Sequence, residues 1–222
     1  MAISDNLTIL RKTIPAAVRL IAVSKRQSVA AIQSAIAAGQ TDFAENYAQE
    51  FRDKVSGLHA EGGHRDPPLQ NKKLCWHFIG HLQSNKAKYV VGRAEFIHSL
   101  DRLSLAKTIQ KLASEQGIIQ KCLIEVKLST DTNKTGCAEE DVRQLLAALR
   151  SLPNIDVVGL MTVASLHATE EETRSEFRKL RTLRDELGLR ELSMGMSHDY
   201  EIALAEGATM LRIGSKVFGE RI

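Results

Sequence analysis

Short apolar segments alternate with longer segments of helical period along almost the whole chain, and few folds accommodate such an alternation. Eight segments are predicted as strands: Leu20–Ser24, Asp42–Ala44, Cys75–Ile79, Phe96–Leu100, Cys122–Leu128, Val157–Met161, Glu191–Ser193 and Met210–Ile213. Repeated strand–helix units indicate a mainly parallel sheet covered by helices.

Amphipathic segments follow several of these strands. They are Ser28–Ala38, Asp101–Gln116, Glu139–Leu149 and Glu170–Leu187, and an extra helix over about Ser4–Lys12 precedes the first strand. Residues that favour helix N-caps are Ser28, Asp101 and Ser197, and glycines that favour helix ends are Gly39, Gly117, Gly188 and Gly207. The polar segment Glu61–Lys73 is predicted to be a surface loop.

Eight such units predict a closed (β/α)8 TIM barrel of the α/β class, formed by residues 1–222 as a single domain with an extra N-terminal helix. An open, doubly wound sheet is the alternative. It is disfavoured because no GxGxxG or Walker A glycine pattern follows a strand.

Composition excludes several functional classes. With 43% hydrophobic residues and a net charge of +3, the chain can bury a core and has no basic excess that indicates nucleic-acid binding. No apolar run approaches the ~20 residues that span a membrane. The three cysteines form no CxxC pattern, and the N-terminus has no secretion signal. These features predict a cytoplasmic protein.

In a parallel barrel, functional residues collect at the carboxyl ends of the strands. Those ends carry Lys25, Asn46, His77, Ser99, Lys134, Met161, Ser197 and Arg212. Lys25 directly follows an apolar strand, where partial desolvation favours a neutral amine that can form a Schiff base with an aldehyde.

The loops after the last two strands are suited to phosphate. Gly195 and Ser197 occupy the first loop, and Gly214 and Ser215 follow Arg212 in the second. Glycines permit close backbone approach, and serine hydroxyls donate hydrogen bonds. A phosphate beside a Schiff-base lysine has two interpretations, a phosphosugar aldolase or a pyridoxal-phosphate site.

Other motifs do not indicate sites. The His77 and His81 pair lacks the glutamate of a zinc-protease helix, so we expect no zinc site there. Asp131–Gly136 matches the start of a calcium loop, but Val142 occupies its last ligand position. No nucleophile-elbow pattern surrounds a serine or a cysteine.

Seven segments together resemble the pyridoxal-phosphate homeostasis proteins, which share the barrel of bacterial alanine racemase. The segments are AVSK (22–25), FAENYAQE (43–50), WHFIGHLQSNK (76–86), NKTG (133–136), VVGLM (157–161), LSMGMSHD (192–199) and MLRIGSKVFGER (210–221). They span nearly the whole chain in the same order. One difference is Ala44, where many members have glycine.

The resemblance implies a role for each predicted site residue in a barrel of fold-type III that binds pyridoxal 5'-phosphate (PLP). Lys25 would hold the cofactor as a Schiff base, and Arg212 would face the pyridine nitrogen. The phosphate would be bound by Ser197, Gly214 and Ser215. The ring pocket would be lined by Asn46 and His77, with Met161 packed near it.

The resemblance further implies a non-catalytic function in vitamin B6 and amino-acid homeostasis. An arginine beside the pyridine nitrogen disfavours its protonation and so weakens the ring as an electron sink. The sequence ends at Ile222, ten residues after Arg212, without the racemase's second domain. We therefore expect a monomer that binds PLP and passes it to apoenzymes, with Lys134 as a candidate for assisting its entry. The alternative is a weak amino-acid racemase.

Overall fold

The structure is a computed structural model that describes residues 2–61, 74–129, 135–165 and 167–219. Its strands are β1 (Arg19–Val23), β2 (Asp42–Glu45), β3 (Cys75–Phe78), β4 (Phe96–Leu100), β5 (Gln120–Lys127), β6 (Cys137–Ala138), β7 (Ile155–Met161), β8 (Glu191–Ser193) and β9 (Met210–Ile213). Every predicted strand is therefore present, with boundaries within about two residues of those expected from apolar periodicity.

Eight of these strands form a closed parallel barrel. Their order is β4-β3-β2-β1-β9-β8-β7-β5, and pairing of β4 with β5 closes the ring. The two-residue β6 pairs only with β5, outside the ring. The predicted (β/α)8 barrel is therefore confirmed. The alternative of an open sheet is wrong, because an open sheet has two unpaired edge strands, whereas β4 and β5 pair with each other here.

The described helices cover the outside of the barrel. They are α1 (Ile3–Thr13), α2 (Val29–Ala37), α3 (Ala48–Glu61), α4 (Leu103–Glu115), α5 (Val142–Leu149), α6 (Glu170–Glu186), α7 (Tyr200–Ala205) and α8 (Ser215–Phe218), and short 3-10 helices span Ser84–Tyr89 and Glu139–Asp141. The extra N-terminal helix is confirmed as α1. Among the described helices, none combines the length and apolar character that crossing a bilayer requires.

The predicted helix boundaries have mixed outcomes. Ser28 caps α2, because its side chain accepts a hydrogen bond from the Ala31 amide. Asp101 does not cap α4, which begins after Arg102 without a side-chain cap; its carboxylate instead accepts from the Arg102 guanidinium. The four predicted terminal glycines all have positive φ. The predicted loop 61–73 lies outside the described residues apart from its first position.

Two apolar layers enclose the strands. The larger cluster lies between helices and sheet, where Ile109 and Phe177 are fully buried with the outward residues of the strands. A smaller cluster fills the barrel interior, with members Ile21, Val23, Ala44, Phe96, Leu123, Val158, Met161 and Met210. The barrel is therefore a packed core rather than a pore.

Gly195 is required by the loop between β8 and α7. Its φ is +90°, and an added Cβ would lie 2.6 Å from Ala203 Cβ and 2.8 Å from Leu211 Cδ2. We expect Gly195→Ala to lower the free energy of unfolding by about 3 kcal/mol, because backbone strain and steric overlap add. Urea unfolding of the variant measures this loss.

Gly188→Ala is the matched control. Its φ is +66°, and a Cβ there meets no atom within 4 Å. Only the backbone strain applies, so the expected loss is about 1 kcal/mol. Equal losses in the two variants would show that the close packing around Gly195 contributes nothing.

Candidate functional site

A cavity of about 600 Å³ opens at the carboxyl ends of the barrel strands. This is the end at which parallel barrels bind their ligands. Six of the eight predicted site residues line it: Lys25, Asn46, Ser197, Arg212, Gly214 and Ser215. The fold therefore brings together residues that are up to 190 positions apart in the sequence.

Lys25 is half-buried in the segment that leaves β1. The next residue, Arg26, has a φ of +60° in the left-handed region, which is uncommon for a side chain of its size. Its amide donates to Glu50 Oε1 at 2.5 Å. This turn ends the strand and places Lys25 at the cavity.

A buried ion pair holds the backbone next to Lys25 in place. Lys54 Nζ donates to the Ser24 carbonyl at 2.6 Å, to Glu45 Oε1 at 2.8 Å and to Glu50 Oε1 at 2.7 Å. Ser24 Oγ also donates to Glu45 Oε1, at 2.6 Å. Burial raises the pKa of Glu45, and the hydrogen bonds from Lys54 and Ser24 oppose that rise. All three ammonium protons are satisfied, so the backbone before Lys25 is rigidly held.

Ser197 connects the two loops that are candidates for phosphate binding. It is not a helix N-cap, because α7 begins after Asp199. Its Oγ instead accepts from the amides of Gly214, at 3.3 Å, and Lys216, at 3.4 Å. A Cβ added at Gly214 would meet only Val23, at 3.6 Å. Protein packing therefore leaves room at this glycine on the cavity wall.

Arg212 is almost fully buried at the cavity. Its guanidinium donates to Ser193 Oγ at 2.7 Å and to the Thr162 carbonyl at 2.8 Å. Burial lowers the pKa of Arg212 to about 10, while the charges of Asp199 and Glu125 oppose the change. The side chain remains a cation at neutral pH.

Asn46 contributes a buried oxygen to the cavity. Among the described residues, its Oδ1 finds no hydrogen-bond partner. Gly80 packs against its backbone so closely that an added Cβ would lie 2.0 Å from the Asn46 carbonyl oxygen. A polar atom that is buried without a partner is costly unless a ligand or water satisfies it.

His77 and Met161, two predicted site residues, do not line the cavity. His77 precedes the last residue of β3, and its fully buried ring stacks on Phe96 at 5.0 Å between centroids. Its Nε2 lies 3.2 Å from Asp42 Oδ1, at the beginning of β2, so the ring is on the amino-terminal side of the barrel interior. Met161 is buried in the interior apolar cluster. Ser99 is also buried, and Lys134 lies outside the described residues.

A continuous chain of four hydrogen bonds crosses the barrel interior from the cavity to its opposite end. Its successive members are Arg212, Ser193, His98, His77 and Asp42, and the bonds after the first measure 2.9, 2.9 and 3.2 Å. We name it the interior hydrogen-bond chain.

The direction of the interior hydrogen-bond chain follows from its two ends. Burial lowers the pKa values of both histidines, so at neutral pH each ring is uncharged and carries one proton. Burial alone would raise the pKa of Asp42, but hydrogen bonds from His77, Arg19 and Thr41 hold it well below its ordinary value. Since the Asp42 carboxylate only accepts and Arg212 only donates, each member donates toward Asp42.

Sequence reasoning missed several residues of the cavity wall. Besides apolar residues, the structure adds Gln27 and His198 to the lining. The His198 side chain is 55% exposed, with Nε2 3.3 Å from Asp199 Oδ2. His198 could have been predicted from the sequence, because it directly follows Ser197 in a predicted phosphate loop.

Comparison with known proteins shows the family to which the chain belongs. The profile of the alanine racemase N-terminal domain matches residues 1–222. The pyridoxal phosphate homeostasis protein of Aquifex aeolicus is 43% identical over 209 residues, covering 91% of this chain and 87% of its own length. That of Synechocystis is 39% identical over 216 residues, covering 95% and 94%.

Solved structures show the same similarity. PipY of Synechococcus elongatus, solved with PLP bound, has 41% sequence identity and a TM-score of 0.88, covering 98% of this chain and all of that one. The form without PLP gives a TM-score of 0.89. A Clostridium difficile alanine racemase has a TM-score of 0.75 at 15% identity and shares the fold over 57% of its length.

Proposed function

Since this chain belongs to the pyridoxal phosphate homeostasis protein family, within the alanine racemase N-terminal domain group, we propose that it binds PLP at the carboxyl-end cavity and holds it without catalysing a reaction. The observation that carries the proposal is the convergence of Lys25, Arg212 and the two phosphate-type loops on one cavity. The PLP-bound form of PipY supports it.

The residues present fit this cofactor. The cavity volume lies in the range of about 300–1,000 Å³ that is usual for small ligands. The space at Gly214 lies beside the hydroxyl-bearing residues Ser197 and Ser215, as a phosphate requires. The unpartnered oxygen of Asn46 is a further polar contact that a ligand can satisfy.

Each residue then has a distinct task. Lys25 is the residue whose amine would hold the cofactor as a Schiff base. Ser197, Gly214 and Ser215 would hold the phosphate, and Arg212 would lie on the side of the pyridine nitrogen. The bound cofactor supplies an electron sink for amino-acid carbanions, and a permanent cation beside the ring nitrogen weakens that sink.

Gly214→Ala tests the phosphate site. We expect about tenfold weaker binding of PLP, because the added methyl occupies the space that the phosphate would use. Pyridoxal, which lacks the phosphate, is the matched ligand, and its affinity is expected to stay within about twofold of wild type. Titration of both ligands with both proteins measures the difference. Equal weakening of PLP and pyridoxal contradicts the assignment.

The alternative function is a weak amino-acid racemase. Racemisation needs an acid or base on each face of the substrate. Besides Arg212, the titratable side chains that line the described part of the cavity are Lys25 and His198. Chiral chromatography of L-alanine incubated with PLP-loaded protein separates the two functions. Sustained formation of D-alanine, lost in His198→Gln, favours the racemase, and its absence favours the binding protein.

The holding function has a consequence for the cell. Bound PLP exposes no free aldehyde, and its release supplies apoenzymes, so the protein acts in vitamin B6 homeostasis. We expect it to do so in the cytoplasm, as a monomer. The three free cysteines accord with a reducing compartment. Size-exclusion chromatography coupled to light scattering tests the monomer, for which a mass near 24.5 kDa is expected.

A further inference from the structure

A polar cluster lies at the amino-terminal end of the barrel, opposite the carboxyl-end cavity. Asp42 begins β2, and Cys75 and His77 lie on the neighbouring strand β3. One carboxylate oxygen, one thiol sulfur and one imidazole nitrogen from these residues all lie within 4.8 Å of one another. These are three of the ligand types that zinc prefers.

The three atoms converge on one point. Cys75 Sγ is 3.3 Å from His77 Nε2, and Asp42 Oδ1 is 3.2 Å from the same nitrogen. Tetrahedral zinc with ordinary bond lengths separates such ligand atoms by about 3.3–3.6 Å. The two measured separations therefore need only small adjustments to accommodate an ion.

Convergence on one nitrogen also distinguishes this cluster from a nucleophilic triad. In a Cys–His–Asp triad, the acid bonds the ring nitrogen that the nucleophile does not use. Here, the thiol and the carboxylate share Nε2, while Nδ1 faces His98 Nε2 at 2.9 Å. His98 thereby takes the place of the outer partner that usually orients a metal-bound histidine.

One residue of the cluster, Cys75, lines a cavity. A cavity of about 190 Å³ at this end of the barrel is lined by Arg19, Leu74, Cys75, Glu95, Phe96 and Lys121. Cys75 itself is half-buried. Burial raises the pKa of the Cys75 thiol to about 12, and the charge of Asp42 adds to the rise. A bound cation reverses that effect, because it stabilises the thiolate.

Arg19 supplies the positive charge at this cluster. Its guanidinium lies 2.8 Å from Asp42 Oδ1 and 3.9 Å from Cys75 Sγ. The side chain is 39% exposed, so it can turn outward. A divalent ion bound by one carboxylate, one thiolate and one neutral imidazole is charge-balanced without it, so metal and guanidinium compete for the same place.

We propose that Asp42, Cys75 and His77 form a binding site for a zinc-class divalent metal ion, with Arg19 as the competing cation. The fourth position of the ion faces the cavity and holds water. On binding, the thiol proton leaves to solvent, and the proton of the His77 ring moves from Nε2 to Nδ1. The proton of His98 moves likewise from Nε2 to Nδ1, toward Ser193, so that His98 Nε2 accepts from His77 Nδ1. This site is separate from the proposed PLP function and stands without it.

Cobalt(II) is the test probe, because a thiolate bound to cobalt gives a charge-transfer band in the near ultraviolet. Titration of the purified full chain is expected to give one equivalent of cobalt with that band, and zinc is expected to displace it. Cys75→Ser should abolish the band and weaken binding on the order of 100-fold. Cys137→Ser, which alters a cysteine outside the cluster, is the matched control and should retain both.

Arg19→Gln provides a test with the opposite sign. Removing a competitor is expected to tighten cobalt binding about tenfold, whereas loss of a purely structural ion pair leaves metal affinity unchanged. Circular dichroism verifies that each variant is folded. A wild-type titration without the thiolate band, a band that persists in Cys75→Ser, or unchanged affinity in folded Arg19→Gln overturns the site.

Discussion

Lys25→Ala is expected to abolish covalent attachment of PLP. Wild-type protein incubated with PLP should become yellow, and borohydride should fix one pyridoxyl group on the peptide that contains Lys25. The variant should remain colourless after removal of free PLP, because among the lysines of the described chain Lys25 is the one on the cavity wall. Absorption spectra and peptide mass mapping measure both outcomes.

Lys107→Ala is the matched control for this experiment. Lys107 is an exposed residue on the outer helix α4, so its removal should leave the spectrum and the mapped peptide unchanged. A pyridoxyl group on another lysine in the wild type contradicts the assignment of Lys25. Wild-type protein that stays colourless and unmodified contradicts PLP binding itself, and a Schiff-base aldolase then becomes the better hypothesis.

Lys54→Met is expected to lower the free energy of unfolding by about 3–5 kcal/mol. The substitution leaves Glu45, which is fully inaccessible, without its counter-charge, and an uncompensated buried charge is strongly destabilising. Guanidinium unfolding at pH 7 measures the loss. Lys111→Met removes one partner of an exposed ion pair on α4 and is expected to cost less than about 0.5 kcal/mol.

Two further measurements identify the cause of that loss. The double variant Lys54→Met with Glu45→Gln carries no buried charge at this pair, so it should recover part of the stability. Acidification should also reduce the deficit of Lys54→Met. Burial raises the pKa of Glu45 in the folded state, and removal of Lys54 takes away a hydrogen bond that opposes this rise. Glu45 therefore binds a proton more readily in the folded variant than in the folded wild type, so the added instability of the variant decreases as pH falls. A deficit that is constant from pH 7 to pH 5 contradicts this explanation.

The barrel could be predicted from the sequence because each strand has a local signal. Buried parallel strands are short apolar runs, and terminal glycines end the helices between them, as at Gly39 and Gly207. Other elements have no such signal. The two-residue β6 depends on pairing with Val126 and Lys127, and α3 has many polar residues, so tertiary contacts determine both.

The sequence indicates which residues reach the cavity where a strand end determines their position, and not elsewhere. Lys25 and Arg212 line the cavity, as expected from their places at the carboxyl ends of apolar runs. His77 was expected at the cavity, but its ring lies near the amino-terminal end of the barrel interior. The sequence of a four-residue strand does not indicate how far along the barrel axis each inward side chain lies. Ser197 resembles a helix cap in sequence, yet its hydroxyl bonds the loop that follows β9, 17 positions away.

The interior hydrogen-bond chain favours one alignment of the barrel strands over others. Its members lie on β9, β8, β4, β3 and β2, so five strands must be correctly aligned before the last bond can form. Sliding β8 by one residue replaces Ser193 in the interior with an apolar neighbour and leaves Arg212 and His98 without their shared partner. Each buried polar group stranded in this way costs about 1–3 kcal/mol. An apolar interior would tolerate such a slip more readily. The interior hydrogen-bond chain therefore disfavours misaligned strands during folding.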